Sequence, residues 1–138
     1  MYVLRHKKKE SRAKSIEQLL SVMSELRELK DFQCCYALYA GIAHSSISRL
    51  SKTWKAVSSN NIKIFDSFKE LFNPTKNYKQ MTQYVNSQQP PLVPWIGLYN
   101  SYLVATEENV DKLPNGFVNF HKLRMLFDVL DELRKFQR

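Results

Sequence analysis

Glycine is scarce in this 138-residue sequence, with three residues, Gly41, Gly97 and Gly116. A chain with no glycine cluster and no Gly-Lys-Ser or Gly-Lys-Thr has no phosphate-cradling loop, so it is not expected to bind a nucleotide itself. Cysteine is as rare: Cys34 and Cys35 stand side by side, which excludes a disulfide framework and a zinc site of ordinary ligand spacing. The three histidines, His6, His44 and His121, are scattered. None stands beside a nucleophile and an acid at a recognisable spacing, so covalent catalysis is unsupported and no cofactor or metal is expected. No apolar run approaches the roughly 20 residues that span a bilayer. The opening Met1-Tyr2-Val3-Leu4-Arg5-His6-Lys7-Lys8-Lys9 lacks the apolar segment of a secretory signal. A reducing, cytoplasmic setting is expected.

Acidic residues are also in deficit, 13 against 21 lysines and arginines, for a formal charge of +8. Such a balance favours an acidic partner, whether nucleic acid, anionic lipid or an acidic protein surface. The excess is concentrated at the start, where Arg5, Lys7, Lys8, Lys9, Arg12 and Lys14 face a single acid, Glu10. Residues 1–11 therefore read as a basic lead-in. It is either a solvated helix end or a contact with an anionic leaflet, at about 1 kcal/mol per well-placed basic residue. Nucleic acid is suggested by charge alone, without a recognition-helix signature, and is not expected as a partner.

What is present is a globular composition, 43% hydrophobic and 12% aromatic, in a length that supports one domain with a core. Ile16, Leu19, Leu20, Met23, Leu26 and Leu29 fall on one helical face. Phe32, Cys35, Tyr36, Leu38, Tyr39 and Ile42 nearly encircle a second helix that Asp31 can cap. Ser45 or Ser46 can cap a short helix through Ile47, Leu50 and Trp54. Ser58-Ser59-Asn60-Asn61 marks a turn before Ile62, Phe65, Phe68, Leu71 and Phe72, which stop at Asn73-Pro74. A further helix is predicted from near Thr75, showing Tyr78, Met81 and Val85 on one side. Asn119 is placed to cap a last helix bearing Phe120, Leu123, Leu126, Phe127, Leu130, Leu133 and Phe136. Apart from Phe117-Val118 there is no strand-like alternation, and the class is all-α.

The stretch from Pro90 to Glu108 stands apart. Pro90, Pro91 and Pro94 cannot lie inside a helix. Beyond them Trp95, Leu98, Tyr99 and Tyr102 recur at helical steps, followed by Glu107-Glu108 and a turn at Pro114-Asn115-Gly116. A rigid approach, a bulky helix, an acidic tip and a turn predict a projecting helical hairpin.

Three words in this region together resemble one family: Pro90-Pro91-Leu92-Val93-Pro94-Trp95-Ile96-Gly97-Leu98-Tyr99, then Glu107-Glu108, then Asn115-Gly116-Phe117-Val118-Asn119-Phe120-His121-Lys122-Leu123-Arg124. They resemble the Cdc25-homology catalytic domain of the Ras-family guanine nucleotide exchange factors. Upstream, Arg12-Ala13-Lys14-Ser15-Ile16-Glu17, Leu26-Arg27-Glu28-Leu29-Lys30-Asp31-Phe32 and Ser48-Arg49-Leu50-Ser51-Lys52-Thr53-Trp54 look like further words of it. The resemblance covers residues 12–138 and implies a partial domain, its C-terminal half to two thirds. It implies a multi-helical orthogonal array without the N-terminal helices that brace the hairpin in the family.

The resemblance also implies a function. In the family, the hairpin wedges open the switch regions of a Ras-like GTPase (Ras, Rap or Ral type), promoting GDP release without covalent chemistry. Carried over by position, Val104 is the apolar residue that obstructs the magnesium site and Glu108 the carboxylate that competes for phosphate-site donors. Trp95 and Tyr78 correspond to aromatic anchors for the second switch, Ser101 and Asn109 to polar hairpin contacts, and Arg12 to a further GTPase-contact position. For Trp95, Tyr78 and Arg12 the alternative is burial or bonding within this domain. One departure stands at Ile42-Ala43-His44-Ser45, where Ala43 replaces the asparagine of the family's Leu-Asn-Ser-Ser. It admits a second reading, a scaffold that binds its partner without catalysing exchange. By resemblance the setting is the cytoplasm, with recruitment to the inner face of the plasma membrane.

Overall fold

The computed structural model describes residues 2–75 and 77–137; Met1 and Arg138, the outer limits of the two expected regions, lie outside them. Eight α-helices make up the fold among the described residues, after a short 3-10 turn at Val3–Arg5. They are α1 (Lys9–Glu28), α2 (Phe32–Ala43), α3 (Ser45–Ser48), α4 (Ser51–Trp54), α5 (Ser59–Leu71), α6 (Lys79–Asn86), α7 (Ile96–Glu107) and α8 (Phe120–Lys135).

Helix α1 buries Ile16, Leu20 and Met23 against α2, which contributes Phe32, Cys35 and Ile42. The connection is tight because Lys30 takes the left-handed conformation at φ 58°, and the Asp31 amide reaches back to the Leu26 carbonyl at 2.9 Å. The Asp31 carboxylate then accepts the Cys34 amide and starts α2. Burial pushes the Cys35 thiol up to about 12, and that thiol donates to the Met23 carbonyl at 3.4 Å. Helix α5 closes this side with Phe68 and, just beyond its end, Phe72. Truncating a buried phenylalanine such as Phe68 costs about 3–5 kcal/mol.

The lead-in joins the core. Val3 is buried, α1 already begins at Lys9, and Arg12 donates to the carbonyls of His6 and Lys7.

Three local expectations are corrected. The predicted helix through Ile47, Leu50 and Trp54 is split into α3 and α4, and its cap is neither Ser45 nor Ser46. Instead the His44 Nδ1 accepts the Ser46 amide at 3.2 Å. Helix α6 begins at Lys79 rather than near Thr75, because Asn77 and Tyr78 both hold left-handed backbone at φ 54° and 55°. Phe117-Val118 forms no strand, only an isolated bridge between Lys112 and Val118.

Helix α8 follows, capped by Asn119 as expected. Its apolar residues divide between two faces. Leu126, Val129, Leu133 and Phe136 are buried or half-buried, whereas Phe120, Leu123, Phe127 and Leu130 face outward, Phe120 at 76% exposure.

Helices α7 and α8 pack on each other and only lightly on α1–α6. Tyr99 meets Glu132 (3.2 Å) and Phe136 near one end, and Lys122 meets Glu107 near the other. The two helices are therefore antiparallel, a hairpin. Its base is tied down by Val93, whose amide donates to the Lys30 carbonyl (2.9 Å) and whose carbonyl accepts the Phe32 amide (2.8 Å). Every residue from 107 to 118 is exposed, so the far end stands clear of the core.

Candidate functional site, the hairpin and its aromatic base

The base of the hairpin is aromatic. Trp95, at the N-terminal boundary of α7, stacks on Tyr36 of α2 with centroids 4.0 Å apart and meets Tyr78 edge-on at 4.6 Å. Tyr36 in turn abuts Phe72 and Tyr39. The two expected anchors are thus neighbours, and both are half-buried rather than fully presented. Tyr36 completes the cluster, although sequence periodicity marks it only as part of an apolar helix. Gln33 accepts the Ile96 amide at 3.0 Å and so starts α7 where no side chain of the preceding residue does.

Along α7, Leu98, Tyr99 and Thr106 turn inward, while Ser101 and Val104 are exposed. Glu108 continues their stripe at the C-cap, its amide donating to the Val104 carbonyl at 3.2 Å. Val104, 63% exposed, and the Glu108 carboxylate are one helical turn apart on the same face. Ser101 Oγ donates to the Gly97 carbonyl, and the Asn109 side-chain amide donates to the carbonyls of Ala105 and Thr106. Arg12 is not part of this surface. Its Nε donates to the buried Thr53 Oγ1 at 3.0 Å, and the guanidinium ties residues 6 and 7 to α4.

The tip is held by polar bonds rather than by a core. Gly116 closes the turn at φ 82°, its amide donating to the Leu113 carbonyl. Asn119 accepts the Lys122 amide and so caps α8, while its own side chain donates to the Val110 carbonyl at 2.9 Å. Lys122, only 5% exposed, sends its ammonium to the Asp111 carboxylate (2.7 Å), the Asn109 carbonyl (2.9 Å) and the Glu107 carbonyl (3.1 Å). The Asp111 bond holds the lysine above its ordinary range and the Asp111 carboxyl below its own. The Glu107 carboxylate lies 3.5 Å from the same nitrogen. Glu108 makes no ion pair among the described residues.

No group of three or more His, Cys, Asp or Glu among the described residues could hold a metal ion, and no helix there is long and apolar enough to cross a membrane. The class that fold and hairpin define is an all-α domain with a helical hairpin, acidic at its tip and aromatic at its foot. The chain belongs to the RasGEF domain family, which matches residues 1–124.

Among its relatives, the Ras-specific guanine nucleotide-releasing factor 1 of Rattus norvegicus is 31% identical over 137 residues, 99% of this chain and 11% of the relative. Ras guanine nucleotide exchange factor P of Dictyostelium discoideum is 29% identical over 128 residues, 92% of this chain and 8% of its own. Rap guanine nucleotide exchange factor 1 of Caenorhabditis elegans is 28% identical over 126 residues, 91% of this chain and 12% of its own. The chain therefore spans a small fraction of the length of the curated relatives it matches.

Proposed function

We propose that this chain is the hairpin-bearing part of a guanine nucleotide exchange factor for a Ras-family GTPase of Ras, Rap or Ral type. The observation that carries the proposal is the pairing of an exposed apolar side chain, Val104, with an exposed carboxylate, Glu108, that makes no ion pair among the described residues, on one face of an outstanding hairpin. An exchange factor performs no covalent step. It needs only to bind the nucleotide-free GTPase better than the loaded one, and the difference in affinity expels the nucleotide.

In this reading Val104 fills the space beside the magnesium site. Glu108 is aimed at the lysine and hydroxyl that hold phosphate and Mg²⁺, replacing part of the negative charge that leaves with the nucleotide. Trp95, Tyr78, Ser101 and Asn109 supply the contact surface around them, with aromatics of the kind that dominate interfaces. Arg12, carried over as a further GTPase contact, lies apart from that surface and ties residues 6 and 7 to α4. The basic lead-in, with Arg5, Lys7, Lys8 and Lys9 exposed, would rest against an anionic leaflet at the inner face of the plasma membrane, within the cytoplasm.

A second reading is favoured by one residue. Ala43 closes α2 with no side-chain donor or acceptor where the family has asparagine. Loss of that contact supports a scaffold that binds a GTPase without accelerating release. The two readings part in one experiment: Ras, Rap and Ral proteins loaded with fluorescent GDP are mixed with the chain, and release is followed. Accelerated release from at least one supports exchange. Binding without acceleration supports the scaffold, and neither sinks both. A hairpin with few braces loses affinity to its own motion, so the isolated chain is expected to be a weak catalyst.

A further inference from the structure

Lys122 is a buried charged residue for which the exchange reading has no use. Its three ammonium donors are matched by three acceptors, and two of these are main-chain carbonyls, of Glu107 and Asn109. They flank Glu108 at the C-terminal end of α7, where carbonyls have no partner within the helix and partial negative charge gathers. The remaining contacts are carboxylates, Asp111 at 2.7 Å and Glu107 at 3.5 Å.

We infer that Lys122 is a positioning residue that clamps the backbone on both sides of Glu108 and takes up two of the three tip carboxylates, leaving Glu108 alone uncompensated beside Val104. The inference deepens the exchange reading and rests on it for its functional half.

Three acids crowd five positions at the tip, Glu107, Glu108 and Asp111. Left to themselves they would repel one another and splay a loop that has no apolar core. A single ammonium rooted in the first turn of α8 sorts them: Glu107 and Asp111 pair with it, and Glu108, on the next helical position, makes no ion pair among the described residues. An ammonium suits this task because it donates in three directions from one point, whereas a guanidinium donates within a plane. The clamp also couples the two limbs. The α7 end cannot shift without breaking bonds to α8, so the carboxylate arrives at a partner already placed.

The test compares wild type, Lys122→Met, Lys122→Arg and Asp111→Asn in the 138-residue chain by two readouts: amide hydrogen exchange, and affinity for nucleotide-free Ras. In Lys122→Met the amides of Glu108 and Asn109, which donate to Val104 and Thr106, are expected to exchange at least about tenfold faster, as loss of charged hydrogen bonds implies. Amides of α1 and α5 are expected to be unchanged. Asp111→Asn trims the clamp from its exposed end and is expected to show the same effect in smaller measure, so the test stands even if Lys122→Met does not fold.

Tip amides as slow in both variants as in wild type overturn the clamp, whether or not any GTPase binds. Where wild type binds Ras, Lys122→Met is expected to weaken it about tenfold, with partial recovery in Lys122→Arg, which keeps the charge. Undiminished affinity despite a loosened tip, or equal loss in both variants, overturns the positioning role. If wild type binds no GTPase at all, the exchange reading fails by itself and the tip amides still decide the clamp.

Discussion

The indole of Trp95 lies over the ring of Tyr36 with centroids 4.0 Å apart and planes 24° from parallel. This contact joins the foot of the hairpin to α2 across nearly 60 residues of sequence. Gly97 makes it possible. A Cβ at that position would sit 2.5 Å from the indole carbons Cε2 and Cζ2, closer than any unstrained contact.

Gly97→Ala is therefore expected to displace Trp95. The indole is rigid, stacked on Tyr36 and met edge-to-face by Tyr78, so it cannot yield by a simple rotation. Overpacking of this kind costs about 1–3 kcal/mol. Urea unfolding would read the loss in stability, and a red shift in tryptophan emission would show the indole moving into water. Unchanged stability and emission would mean that the hairpin foot is looser than its packing indicates.

Glu108→Ala is expected to separate function from stability. The side chain is exposed and makes no ion pair among the described residues, so its removal should alter stability by no more than about 0.5 kcal/mol. Release of fluorescent GDP from a responsive GTPase should nevertheless fall by at least about tenfold, as for a charge that acts at the nucleotide site. Trp95→Ala should lose exchange as well, but with a measurable loss of stability because it also removes the stack. Two variants with the same kinetic defect and different melting behaviour would distinguish a contact at the tip from support at the foot.

A pH dependence follows from Glu17. Its carboxylate accepts the Ser58 amide at 2.9 Å, fastening α1 to the start of α5, and that backbone hydrogen bond is the main cause of a pKa below the usual carboxylate value. A carboxylate depressed in the folded state contributes stability that is fully present above its unfolded pKa, about 4.3. The contribution is lost as pH falls through the lower folded value. Wild type should therefore exceed Glu17→Gln in stability at pH 7, and the gap should close in acid below about pH 4. A gap that persists unchanged to pH 2 would rule out an ionic origin.

Much of this arrangement is written in local pattern. The helices carrying Ile16, Leu20 and Met23, or Phe68 and Phe72, follow from 3.6-residue spacing. Their caps at Asp31, Ser58 and Asn119 follow from short polar side chains set just before apolar runs. The start of α6 is not legible in that way. Left-handed backbone at Asn77 and Tyr78 is a choice of the surrounding fold at two residues that carry no glycine to announce it.

The division of α8 into two faces is hidden for a different reason. Leucine and phenylalanine occur on both, and only the placement of α7 selects which side is covered. Lys122 had a signal available. It falls in register with Leu126, Val129, Leu133 and Phe136, and a lysine on the covered stripe of a helix must find acceptors or lose its charge. The aromatic foot shows a further limit. The family resemblance marks Tyr78 and Trp95 one at a time, but nothing in their 17-residue separation says that they meet each other.

The outward row of Phe120, Leu123, Phe127 and Leu130 has a colloidal consequence. Contiguous oily surface of this kind draws identical molecules together, while the +8 charge drives them apart. Dissolved salt shortens the reach of that repulsion to about 8 Å at physiological strength and leaves the oily attraction intact. In dilute buffer the protein is expected to disperse like a charged sol, and added electrolyte to bring its greasy flanks within touching range.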